Sequence, residues 1–110
     1  MALVSNFYEN TTKVFSGVIT HAGSNPDTTG DTITFIMKTA KSDNDASAKI
    51  DVDATGLGSG GIFTITLTPA ITSDTPAKYF YDIIWHTAGG EIYVLDSDQV
   101  TVLDKVQDNV

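Results

Sequence analysis

The residues whose chemistry could amount to a site are few: two histidines, His21 and His86, scattered serines, and three acidic pairs, Asp43/Asp45, Asp51/Asp53 and Asp96/Asp98. Carboxylates at alternate positions of an extended segment point the same way and could share a hard cation such as calcium. Calcium takes about 6 to 8 oxygens, and neither the full EF-hand pattern nor a loop-closing glutamate accompanies any pair. They are expected to be solvated turn and strand-face residues. The histidines have no second ligand at a metal-like spacing such as H-x-x-x-H and are read as solvent-facing. No serine stands in G-x-S-x-G, so a nucleophile context is missing. Gly56-Leu57-Gly58-Ser59-Gly60-Gly61 lacks the Lys-Ser/Thr that completes a phosphate loop and leads into a strand, so it is a turn. Asn10-Thr11-Thr12 matches a glycosylation acceptor only as a short pattern without a secretory leader. The sequence predicts no catalytic residue, no cofactor and no metal, and residue chemistry alone does not state a function.

The elements that position these residues are strands. Lys78-Tyr79-Phe80-Tyr81-Asp82-Ile83-Ile84-Trp85-His86-Thr87 holds the one tryptophan and the densest run of large side chains, and is expected to be the central strand. Alternation puts Tyr79, Tyr81, Ile83 and Trp85 on one face, the core, and Phe80, Asp82, Ile84 and His86 on the other, a mixed face suited to contact with another subunit. Trp85 with Tyr79 and Tyr81 could instead stack on a sugar ring. All three share the face opposite Asp82 and His86, which favours the core.

Further strands are expected at residues 13–20, 32–38, 49–54, 63–67, 91–95 and 99–106. The segments 49–54 and 63–67 alternate cleanly, and threonines on the wet face favour strand through their branched β-carbons. Ala88-Gly89-Gly90 is expected as a tight hairpin, and Asp96-Ser97-Asp98 as a further turn. Residues 1–12 show no strong period and are expected to be a terminal arm preceding a single domain over 13–110. Seven short strands at roughly 8 to 12 residue spacing, without a helical period, predict an all-β antiparallel sandwich.

At 110 residues a single domain is expected. Six lysines against fourteen acidic residues give a charge of −8, which repels phosphate backbones and anionic headgroups, so neither nucleic acid nor a membrane is an expected partner. The absence of cysteine excludes disulfides and thiolate chemistry. The first residues show no basic region and no apolar run of signal-peptide length, so assembly in the cytoplasm is expected.

Ala77-Lys78-Tyr79-Phe80-Tyr81 resembles the entry to strand F of immunoglobulin-like domains, with Tyr79 as the corner tyrosine and Tyr81 in the place of the cysteine. Together with Gly30-Asp31-Thr32-Ile33-Thr34-Phe35, the strand at 63–67, the Gly89-Gly90 hairpin and Val100-Thr101-Val102, the chain resembles the immunoglobulin-like domains of tailed-phage virion proteins, most nearly the N-terminal domain of phage upper baseplate proteins. Members of that family often have Pro-Gly before the tyrosine, whereas here Pro76 is followed by Ala77 and Lys78. They usually continue into a stalk or receptor-binding region, so a chain ending at Val110 is expected to be a small multi-copy subunit attached to a capsid, neck or tail.

The resemblance implies a non-enzymatic virion protein assembled in the host cytoplasm, whose partners are other virion proteins and copies of itself. Its expected contacts are Ala2, Leu3, Val4, Phe7 and Tyr8 of the arm, which would add to a neighbour's sheet edge, and Phe80, Ile84 and His86 of the mixed face. Removing residues 1–10 is then expected to abolish incorporation and spare the fold. A carbohydrate-binding adhesion module is the alternative, and it needs an exposed Trp85.

Overall fold

A computed structural model of the protein describes residues 4, 6–21, 23–73 and 76–104. Its strands are β1 (Phe7–Tyr8), β2 (Lys13–Val18), β3 (Thr32–Lys38), β4 (Ile50–Asp53), β5 (Ile62–Leu67), β6 (Ala77–His86) and β7 (Ile92–Leu103), with one 3₁₀ turn at Asp45–Ser47. The chain is all-β. One mixed sheet has five strands in the order β1-β7-β6-β3-β4, and β2 and β5 form a second, antiparallel sheet.

β6 is the middle strand of the larger sheet, antiparallel to β3 on one side and to β7 on the other. Its alternation sends Tyr79, Tyr81, Ile83 and Trp85 inward, all buried, while Phe80, Asp82 and Ile84 are half-buried on the outer face and His86 is exposed. Phe35 on β3 and Phe15 on β2 meet edge-on at 5.4 Å, so the two sheets face each other across one core, an arrangement compatible with a β-sandwich. Two fully buried threonines latch loops to that core. Thr28 Oγ1 accepts from Gly58 N and donates to Gly58 O, and Thr72 Oγ1 accepts from Thr11 N and donates to Thr11 O.

Two expectations are corrected. The terminal segment is not an arm from Val4 onward. Phe7 and Tyr8 lie parallel to β7 opposite Val102 and Leu103, Glu9 N donates to Leu103 O at 3.0 Å, and Thr101 N donates to Asn6 Oδ1 at 2.9 Å. Val4 and Phe7 are buried in the protein's own core, so neither is presented to a neighbour. A strand of two residues is too short to show alternation, which is why it was invisible in the sequence. Ala2 and Leu3 lie outside the described residues.

The second correction joins two expected strands into one. Asp96, Ser97 and Asp98 continue β7, opposite Ile83, Asp82 and Tyr81 of β6. Pairing passes from Ile84↔Val94 to Ile83↔Asp96, which leaves Leu95 as the extra residue of a bulge. Local turn preference gives way here because β6 offers ten residues of pairing and the polar side chains find partners. Ser97 Oγ donates to Asp82 Oδ1, and Tyr81 Oη donates to Asp96 Oδ2.

The β6–β7 connection runs from Thr87 to Glu91 and turns over Ala88 to Gly90, closed by Thr87 N donating to Glu91 O at 2.9 Å and Gly90 N donating to Thr87 O at 3.0 Å. Gly90 has φ 92°, the left-handed position such a loop requires.

Candidate interaction surface

The outer face of the larger sheet gathers the residues expected to meet a partner. Register places His86 between Ile92 and Thr32, Ile84 between Val94 and Thr34, and Phe80 between Gln99 and Lys38. Ile92 is 63% and Val94 is 61% exposed, which is high for aliphatic side chains and makes an apolar strip with Ile84. Ile36 lies on this face too but is buried, lining a shallow cleft of about 140 Å³ with Lys38, Lys41, Phe80 and Asp82. Lys41 Nζ stands 5.5 Å from the centre of the Phe80 ring, within cation–π range. Lys38 Nζ donates to Asp43 O at 2.8 Å and holds the loop after β3 against the cleft. Lys78 stands two residues before Phe80 on the same face of β6, so three of the chain's six lysines fall at this end of the face, with Asp82 in the same cleft. Tyr8, on β1, is 51% exposed but lies beyond β7, at the far edge of the sheet.

Trp85 stands at the opposite end of β6, on the inner side. Its Nε1 donates to Asp31 Oδ2 at 2.9 Å, and Asp31 Oδ1 accepts from Ala88 N at 2.8 Å, so one carboxylate ties the approach to β3 to the β6–β7 loop. His21 packs edge-on against the indole at 5.8 Å and Tyr93 lies against it at 5.1 Å. The ring is 5% exposed and offers no open face. The carbohydrate reading therefore loses the platform it rested on. Tyr93 Oη donates to Glu91 Oε2 at 3.0 Å, and that bond holds its phenol above the usual range. The Asp31 tie and the packing of His21 against Trp85 carried no sequence signal, because each joins residues more than 50 positions apart.

The acidic pairs are used singly. Asp43 Oδ2 accepts from Ala40 N at 3.2 Å, Asp53 Oδ1 accepts from Thr34 Oγ1 at 2.9 Å, and Asp98 Oδ1 accepts from Gln99 N at 2.8 Å. Among the described residues no three His, Asp or Glu side chains converge as metal ligands would. The Tyr81 hydroxyl is buried beside Asp96 and Asp98. Burial first, then its bond to Asp96, pushes its pKa well above the ordinary phenol range.

No protein-family model matches the chain, and no curated protein matches its sequence.

Proposed function

We propose that this protein is a non-enzymatic structural subunit of a tailed-phage particle, an immunoglobulin-like sandwich that docks on capsid, neck, tail or baseplate proteins through the outer face of its larger sheet. Strand order supports the fold reading. The order β7-β6-β3-β4 is the one a G-F-C-C′ run of a variable-type immunoglobulin sheet would have, with β2 and β5 then corresponding to B and E. The tryptophan departs from that pattern, standing on β6 where immunoglobulins carry it on strand C.

The observation that carries the docking reading is the strip Ile84, Ile92 and Val94 running toward Phe80 and its lysines. Apolar area rimmed by charge on a solvent-facing sheet is the composition of a protein contact. The particle assembles in the host cytoplasm, and the partners are other virion proteins.

Quantitative mass spectrometry of purified particles tests this reading, with the chain measured against the major capsid protein. A fixed ratio is expected, and it falls at least tenfold in an Ile84→Lys, Val94→Lys variant that melts at the parent temperature. Absence of the chain from particles overturns the reading, as does normal incorporation of the variant.

A further inference from the structure

β2 is an edge strand, and its backbone shows which way the edge faces. Ile19 N donates to Gly61 O at 2.8 Å, continuing the ladder to β5. Thr64, opposite Ser16, exchanges both of its backbone bonds with Thr55 on the far side of β5, at 2.8 and 2.9 Å. In an antiparallel pair these orientations alternate, so Lys13, Phe15 and Gly17 turn their backbone groups toward β5, and Val14, Ser16 and Val18 turn theirs outward. Among the described residues, those outward groups meet no strand.

The other edges are shorter or interrupted. β4 is four residues long and carries Asp51 and Asp53, β5 is bridged by Thr55, and β7, which the two residues of β1 cover only at Val102 and Leu103, is broken along its open part by the bulge at Leu95 and by Asp96 and Asp98. β2 has six residues, and its outward side chains Val14 and Val18 are 53% and 61% exposed, with Ile62 beside Val18 at 52%. At the end of this edge lies a cleft of about 330 Å³, walled by Gly17 and Val18 of β2, by Ile19 and Thr20 just after it, by Phe63 of β5, and by Leu95 and Asp96 at the bulge of β7.

We propose that this edge is a self-association site, where a second copy adds its own β2 antiparallel about a two-fold axis at Ser16. The strand is palindromic where it matters. Val14 and Val18 stand equally far from Ser16, so Ser16 faces Ser16 and each Val14 faces the other copy's Val18. All three positions turn N–H and C=O outward, which closes the ladder without orphan groups and stacks valine on valine on the outer face. Charge selects the same register. Lys13 is the only charged residue of β2 and β5, and it belongs to the same inward-facing set as Phe15. Antiparallel pairing carries it to the other copy's Ile19–Thr20 end, where Asp96 lines the cleft, and the two-fold axis repeats that meeting. Elsewhere two copies of charge −8 repel. The contact is one six-residue strand edge, where a standard interface engages roughly 800 Å² per partner, so the pairing is weak.

Cross-linking and sedimentation test it together. The chain has no cysteine, so Ser16→Cys introduces a unique thiol. Facing residues of a hydrogen-bonded antiparallel pair have Cα atoms about 5.5 Å apart, inside the range a disulfide spans. Thr64→Cys, on the same face but one strand in, sits about 14 Å from its counterpart by strand spacing and serves as control. Under mild oxidation Ser16→Cys is expected to form covalent dimer at least tenfold faster than Thr64→Cys. The parent's sedimentation mass should rise toward a dimer as concentration approaches about 1 mM, where a micromolar Kd saturates. Val14→Lys with Val18→Lys, both on exposed positions, should keep the melting temperature and remain monomeric. Equal cross-linking of the two cysteine variants overturns the proposal, and so does undiminished association of the double lysine variant.

Discussion

Tyr81 brings a hydroxyl into the core, and the two ends of its hydrogen bonding show what that requires. Its Oη donates to Asp96 Oδ2 at 2.7 Å and accepts from Val4 N at 3.4 Å, so the phenol links β6, β7 and the terminal segment. Burial and the neighbouring carboxylates favour the neutral phenol in the fold and raise its pKa. The unfolded chain releases this proton near pH 10, while the folded chain still holds it above that point. Stability is therefore unaffected below about pH 10 and falls as pH rises beyond it. Urea unfolding at pH 8 and pH 11 should show a larger loss for the parent than for Tyr81→Phe, although the variant starts lower at pH 8 for want of the bond to Asp96. Equal losses would remove Tyr81 as the source. Nothing in the sequence marks the partner of this hydroxyl, since the carboxylate it meets stands in a run with turn character.

At the scale of elements, what was legible depended on length and alternation. β3, β4, β5 and β6 each repeat the two-residue period over at least four positions, and their inner faces follow from it. β1 and the middle of β7 did not, because one is two residues long and the other carries Asp-Ser-Asp at the point where pairing with β6 overrides local preference. The candidate face was half legible. Phe80, Ile84 and His86 follow from the period of β6, but the exposed Ile92 and Val94 extend it only because β7 lies alongside. The change in β1 has a direct consequence. Phe7 is 4% exposed in the core, so Phe7→Ala should cost about 3 kcal/mol in denaturant unfolding, the low end for a buried phenylalanine. A terminal arm making no contact with its own domain would lose less than about 0.5 kcal/mol. Removal of residues 1–10 accordingly destabilises the fold itself, and a loss of incorporation in such a truncation says nothing about docking by the terminus.

At the scale of the whole molecule, the question is whether the small sheet stands by itself. Apart from the single Thr55 bridge to β5, β2 and β5 share a ladder only with each other, and an isolated pair of strands is marginal in water. Their inner residues Phe15, Phe63, Ile65 and Leu67 belong to the same buried cluster as Phe35, Tyr81 and Ile83 of the large sheet. Separating the sheets would expose that cluster on both sides, so the small sheet has no stable state apart from the large one. Unfolding is then a single transition, as expected for a domain of this size. Trp85 fluorescence, which reports on the large sheet, and far-UV circular dichroism, which reports on all strands, should give coincident urea curves. Hydrogen exchange distinguishes the two sides of β2. The Phe15 and Gly17 amides, turned toward β5, should exchange only through global opening. Those of Val14, Ser16 and Val18, turned outward, should exchange far faster in dilute monomer. Early exchange of Phe15 and Gly17, or a circular dichroism transition preceding that of Trp85, would mean that the small sheet detaches by itself and that the shared core does not unite the molecule.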